Sequence, residues 1–417
     1  MHRYDLIVVG GGFAGVGAAL AAAREGMKVL LIDRHNCLGG TAVGSLVNPF
    51  MPYWTTDPDT NEKIPLAGGI FAEIVDAMKQ QGYMTNDADF FDEGLKLVLN
   101  RMMLQAGIQL LFHSYLVDAQ AENGYIQTVT VVNKSGKQTY FADYFIDATG
   151  DGDLAALCGC AWKLGRDKDQ QCQPMSLCFR MAPVDTVLFK KEKPFLDQLF
   201  RQYQKEGKIK NILHGILAFG IAMPNVLHLN STRLIHKNPL DAMELTEAEI
   251  EGRELVFELY HFLKSHSAAC KESQLIMTAS EIGVRESRKI IGDYCLTQED
   301  LLACRKFEDS ICACNYDIDI HSPDGGGASH YFFAPGEYYT IPYRCLTPKG
   351  MNNMLVAGRC ISSTHEAQAS FRIMPVCCCL GQAAGTAASL AKNNRYDIRK
   401  ISISELQNLL VQHGAKI

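Results

Sequence analysis

The chain has 417 residues, more than one hydrophobic core usually serves, so two domains are expected. With 47% apolar and 21% charged residues it has the composition of an ordinary globular protein. A net charge of −6 and the lack of a basic run argue against nucleic acid or an anionic membrane surface as the main partner, and no run of about 18–20 uninterrupted apolar residues suggests a membrane span.

The N-terminus passes straight into a strand-like run, without a signal-peptide layout. Fifteen cysteines, an odd number scattered through apolar surroundings, fit reduced thiols and a cytoplasmic location better than a secreted disulfide framework. Cys158-Gly-Cys160 and Cys312-Ala-Cys314 lack the paired spacing of zinc or iron–sulfur sites, so no metal is expected.

In chain order, a buried-strand run at Leu6–Val9 ends in Gly10-x-Gly12-x-x-Gly15. An alanine-rich helix follows, then a second strand, Lys28–Ile32, ending at Asp33. This is a βαβ dinucleotide-binding unit. Gly10 permits the tight turn, Gly12 lets backbone approach a pyrophosphate, and Gly15 with Ala18, Ala19 and Ala22 lets the helix lie against the sheet. Free N–H groups at the helix start face the phosphates, and Asp33 is placed to accept from ribose hydroxyls. The fingerprint alone does not separate FAD from NAD.

Gly39-Gly40-Thr41 then offers a second close backbone approach. Two helices are expected within residues 65–108. A strand-rich stretch follows, with turns at Glu122-Asn123-Gly124 and Lys134-Ser135-Gly136, and reads as a meander returning to the main sheet. Its last strand, Tyr144–Ala148, runs into Thr149-Gly150. From about Leu157 to Pro335 the pattern changes, with strand-like runs at Gln173–Pro183 and Pro224–Ile235 and a long amphipathic helix capped by Thr246 with Glu249 three residues later. A strand-to-glycine pattern returns at Leu355–Arg359, and Pro375 marks a helix entered near Val376.

The glycine doublet, the Ala148-Thr149-Gly150 strand end and Ala357-Gly358-Arg359 resemble flavoproteins of the glutathione-reductase and fumarate-reductase type. Ile282–Thr297, Ile341–Pro348 and Ala357–Ala388 resemble the FAD-dependent oxidoreductase family related to the heterodisulfide reductase flavoprotein subunit, over Asp5 to about Leu390. The resemblance implies an α/β fold: a Rossmann-like FAD-binding domain of the glutathione-reductase type, residues 1–156 and 336–417, with an inserted α+β substrate or cap domain, 157–335. It implies non-covalent FAD held by Gly10, Gly12, Phe13, Ala14, Gly15, Asp33, Arg34, Gly39, Gly40, Thr41, Val117, Ala148, Thr149, Gly150, Gly358, Arg359 and Met374, with backbone around Leu116–Val117 offered to adenine.

Two departures limit what the resemblance carries over. The iron–sulfur cysteines of the heterodisulfide reductase relatives are missing, and Ala42 and Val47 stand where the glutathione-reductase branch has its C-x4-C dithiol. No second GxGxxG appears, which argues against a dedicated NAD(P)H domain. The electron acceptor and self-association stay open.

Candidate catalytic residues are His365, Arg372 and Arg285. His365 suits acid/base work near neutral pH, against a structural histidine. The arginines suit a carboxylate or the negative charge of reduced flavin, against a structural salt bridge involving Glu286 and Arg288. Glu337, Tyr338, Tyr339 and Cys37 are weaker candidates, and His321–Phe332 reads as a surface loop. Consecutive residues on a helix diverge by about 100°, so Cys377, Cys378 and Cys379 cannot converge on one ion and read as packing. These residues point to hydride transfer between FAD and a small polar substrate such as a hydroxy or carboxylated compound. The alternatives are an NAD-dependent dehydrogenase on the same βαβ unit, or an electron-relay flavoprotein within a complex.

Overall fold

A computed structural model describes residues 3–394 and 397–417. Strand β1 (Arg3–Val9) is followed by helix α1 (Phe13–Arg24) and the parallel strand β2 (Val29–Ile32). Gln109–Leu111 extends the parallel sheet beyond β2, and Gly136–Asp147 lies on the other side of β1. Residues Phe145–Asp147 of that strand also pair in parallel with Met354–Val356. Its earlier residues pair antiparallel with Tyr125–Asn133, which pairs with Tyr115–Glu122. The meander turns fall where the sequence places them, with Asn123 and Gly124 at φ 52° and 81° and Gly136 at φ 95°.

Register decides where a ligand can sit. Ile32, Val9, Asp147 and Val356 stand level across the sheet. Asp33, Gly10, Ala148 and Ala357 therefore emerge side by side at its carboxyl edge, the usual place for a ligand in a parallel sheet. Leu6–Val9 and all of β2 are buried, as strands covered on both faces must be.

The helix Met374–Asn394 packs against α1 so closely that glycine is required at the contacts. A Cβ on Gly381 would lie 1.9 Å from the Ala14 carbonyl oxygen, and one on Gly385 2.1 Å from that of Ala18. From the other side, a Cβ on Gly17 would lie 2.3 Å from the Cys378 carbonyl oxygen. By length and composition this helix is apolar enough to cross a membrane, which the sequence reading did not anticipate because polar Gln382, Thr386 and Ser389 interrupt the run. Its hydrophobic window is wholly buried inside the fold, and those polar side chains have partners there. Gln382 Oε1 accepts from the N–H of Ile70 at 2.9 Å, at the start of α2 (Ile70–Gln80).

A second, antiparallel sheet takes the order Ala218–Phe219, Leu227–Leu229, Phe179–Ala182, Gln274–Thr278. Phe179, Met181, Leu227 and Leu229 on one face share a separate core with Phe189, Phe200, Leu259 and Phe262 of two long helices, Thr186–Lys205 and Ala242–His266. Ala242–His266 starts earlier than its Thr246-Glu249 pattern suggests. Asp241 is the cap, accepting from the N–H groups of Met243 and Glu244, while the Thr246 hydroxyl donates back to the Ala242 carbonyl at 2.7 Å. Glu249 accepts from the Ile282 N–H at 2.6 Å and so ties this helix to the 280–288 segment.

Candidate active-site cleft

A cleft of about 1140 Å³, including its open mouth, runs along the carboxyl edge of the parallel sheet. Gly10, Gly12, Phe13, Ala14, Asp33, Arg34, Gly39, Gly40, Thr41, Ala148, Thr149, Gly150, Gly358, Arg359 and Met374 line it, and so does Arg372. Most of the residues singled out from sequence are therefore brought together.

The glycine geometry separates two jobs. A Cβ on Gly15 would fall 1.8 Å from the Gly10 carbonyl oxygen, so Gly15 serves helix packing and does not line the cleft. Gly12 has an ordinary φ of −70°, and a Cβ there would meet nothing nearer than the Gly40 Cα at 3.8 Å. Neither strain nor crowding from the protein demands glycine at this position; the space a side chain would take belongs to the cleft. Gly12 has no side-chain cap to offer, and the first turn of α1 holds no acid, so the first N–H groups of the helix remain suited to an anion. The donor set and the open space fit a pyrophosphate.

At the end of β2, Asp33 is buried and accepts from the N–H of Gly11 and, at 2.7 Å each, from the His35 N–H and ring Nδ1. Burial works against its charge, yet His35 and the backbone donors keep its pKa below the ordinary carboxylate value. His35 Nε2 lies 2.9 Å from Glu281 Oε2, and Arg34 donates to the same oxygen at 3.0 Å. Burial opposes the imidazolium, but the two carboxylates hold its pKa up to about 9. The segment that opens the Ile282–Thr297 motif thus closes over β2 through ion pairs, and Ile282 and Val284 form the facing wall. His35 and Glu281 had not been singled out from sequence; only their adjacency to Asp33 and Ile282 could have pointed to them.

Three sequence assignments change place. Of Leu116 and Val117, Leu116 lines the cleft together with Tyr115, while Val117 does not and is 41% exposed. His365 is buried behind the wall, with Nδ1 2.7 Å from Glu286 Oε2, and Glu286 Oε1 in turn meets Lys289 Nζ at 2.6 Å. This closed triad gives His365 a structural position, away from the cleft lining. Cys377, read as packing, lines the cleft, although burial pushes its thiol up to about 12.

Arg285 does not line the cleft but lies beside Arg372, which does. The carboxylate next to it in sequence is engaged elsewhere, Glu286 with His365 and Lys289, while Arg288 pairs with Asp153. Tyr339 is fully buried, its hydroxyl 2.8 Å from that of Ser370, and Glu337 bonds the Ala334 N–H, so both are local structure. His321 ends the first strand of a hairpin, Ile318–His321 and Ala328–Tyr331, of which only the second strand is exposed, and its ring is mostly buried. Cys37 is half-buried and off the lining.

A further polar cluster lies on the face of the second sheet away from its core. Cross-strand partners Arg180 and His228 face away from the second core, and Arg180 Nη1 donates to Asp92 Oδ1 at 2.8 Å. Arg180 Nε and Nη2, both His228 nitrogens and Asn48 Oδ1 have no hydrogen-bond partner among the described residues. Burial, with Arg180 nearby, pulls His228 down to about 3, so its ring is neutral.

Comparison with known proteins agrees with this geometry. The chain is 30% identical over 160 residues to a mitochondrial dihydrolipoyl dehydrogenase of Schizosaccharomyces pombe, covering 36% of this chain and 28% of that protein. It is 27% identical over 161 residues to a digeranylgeranylglycerophospholipid reductase of Sulfolobus acidocaldarius, covering 36% and 34%. These matches span about a third or less of each relative. A solved geranylgeranyl bacteriochlorophyll reductase-like protein from Thermoplasma acidophilum superposes over 100% of this chain and 85% of its own, with a TM-score of 0.49 and 15% identity. Residues 5–410, nearly the whole length, match one family, and the chain belongs to it: the FAD dependent oxidoreductases.

Proposed function

We propose that this FAD-dependent enzyme transfers a hydride between a small organic substrate and non-covalently bound FAD. The observation that carries this reading is the cleft itself. Gly12 with its open space, the uncapped start of α1 and the carboxylate of Asp33 line it, and so do Arg372, Met374 and Cys377 of the C-terminal return. Gly10, Gly12 and Gly40 would hold the pyrophosphate, Asp33 the ribose, and Tyr115 and Leu116 the adenine side. Gly358, Arg359 and Met374 would hold the flavin side. When bound, FAD supplies hydride acceptance and donation. The protein's part is to orient both reactants and to place positive charge, through Arg372, where negative charge builds. A family match that covers the chain from residue 5 to 410 supports FAD over the NAD-dependent alternative.

The test is direct. Purified protein should carry flavin absorbance after FAD is added and excess removed, and a small substrate should bleach it anaerobically without a protein partner. A protein that retains no flavin would overturn the reading. Bleaching only by a reduced protein partner would favour the relay.

A further inference from the structure

Arg372 is the visible member of a larger cationic group. Its Nη2 lies 3.1 Å from Asp319 Oδ2 and 3.2 Å from the Asp319 carbonyl oxygen. His321 Nε2 approaches the same Oδ2 at 3.1 Å, and Arg233 Nη2 lies 2.9 Å from His321 Nδ1. Since a guanidinium can only donate, His321 Nδ1 must accept and the imidazole is neutral. Arg285 packs beside this group, and the single hydrogen bond of its guanidinium among the described residues runs from Nη1 to the Pro174 carbonyl at 2.6 Å.

The charges do not balance. Arg233, Arg285 and Arg372 bring three positive charges against two carboxylates, Asp319 and Asp317, which lie close together. Asp317 is bonded to His330 at 2.6 Å, Asp319 Oδ1 is buried without a hydrogen-bond partner among the described residues, and one positive charge remains over. Arg233 Nη1 is buried without a partner, and the side chain is only 6% exposed. The Nε and Nη2 of Arg285 have no protein partner among the described residues and are not among its sealed polar atoms. Burial, with Arg372 close by, lowers Arg285 to about 10, and burial with Arg285 nearby lowers His321 to about 3. Burial is the larger cause of both shifts and the neighbouring cation the second. A protein interior seldom leaves guanidinium donors and charge unmatched unless a ligand completes them.

We infer that Arg285 and Arg233, with Arg372 at the cleft wall, form the binding site for a carboxylate group of the substrate. This rests on the hydride-transfer reading and adds to it the substrate class, a small carboxylic acid anion. Two planar guanidinium forks can grip a carboxylate at both oxygens, which fixes the orientation of the carbon skeleton. His321 and Asp319 are positioning residues here: each holds one arginine and neither needs to touch the ligand.

The experiment titrates FAD-loaded protein with two- to six-carbon mono- and dicarboxylates and with their amides, reading the flavin absorbance. At least one acid should shift the spectrum saturably, its amide should not, and Arg285→Met should weaken that acid about tenfold or more while keeping its FAD. Arg233→Met, which disturbs no backbone contact, should weaken it in the same direction and guards against a misfolded Arg285 variant. The inference is overturned if no acid saturates, if the amides act equally, or if both variants bind like the native protein. If the native protein holds no flavin, the hydride-transfer reading falls and this inference with it; flavin retained without acid binding removes only the carboxylate site.

Discussion

His35 Nδ1 lies 2.7 Å from Asp33 Oδ1, so the carboxylate that ends β2 carries its own counter-cation. The pair has a consequence for pH. His35 is raised from its ordinary 6.5 to about 9, so its stabilising effect is complete below 6.5 and is lost as pH rises through 9. The melting temperature of protein without added FAD should therefore fall over that window. The effect is at most on the order of 3 kcal/mol before solvent screening, since the ring is partly exposed. His35→Gln should flatten the slope; a slope that persists unchanged would place the titrating group elsewhere.

Gly12 and Gly15 should respond to the same change in opposite ways. Gly12→Val puts a side chain into open cleft at an ordinary backbone angle, so the fold should persist while FAD affinity drops at least tenfold. Gly15→Ala forces a Cβ onto the Gly10 carbonyl and should destabilise the apoprotein by about 1–3 kcal/mol or more. Chemical denaturation and flavin retention, measured on both variants, separate the two effects.

Glu286→Gln should unfold more readily than His365→Gln. Lys289 and Glu286 are both almost fully buried, and removing the carboxylate strands a buried ammonium, a loss of about 3–5 kcal/mol. His365→Gln keeps that ion pair and should cost less. If His365→Gln instead abolished flavin bleaching with stability intact, the histidine would act at the cleft despite its position.

Among the fifteen cysteines, Cys295 is the exposed one and should react first with a thiol reagent in the native protein. Cys377 should label more slowly than Cys295, since burial raises its thiol, and bound FAD should slow it further because it lines the cleft. Mass spectrometry of partially labelled protein, with and without FAD, checks both orders.

The helix pair offers a last test. Gly381→Ala would press a Cβ onto the backbone of Ala14, one residue into α1 from the phosphate-facing turn. It should therefore lower stability and FAD affinity together. Loss of stability alone would mean that the two helices can move apart without disturbing the cleft.

The βαβ unit, the meander turns and the late return of the chain to the first sheet were legible because each rests on local chemistry. A glycine run after an apolar strand, an Asn-Gly turn and a strand-length apolar run constrain the backbone within a few residues. The start of the Ala242–His266 helix was misplaced for the same reason, since Thr246 and Asp241 both satisfy local capping rules and only packing chose between them. Side-chain roles at the site were decided elsewhere. His365 stands in a motif that closes the cleft, yet Glu286, 79 positions earlier, draws it into a buried ion pair. Arg285, Arg372, Asp319 and Arg233 come from separate segments, and their charge imbalance exists only once the fold has placed three cations around two carboxylates, Asp317 and Asp319. Sequence alone determined that a Rossmann-like fold forms and where its glycine turn lies. Tertiary structure decided which charges meet, because electrostatic pairing depends on distances that neighbours in sequence do not set.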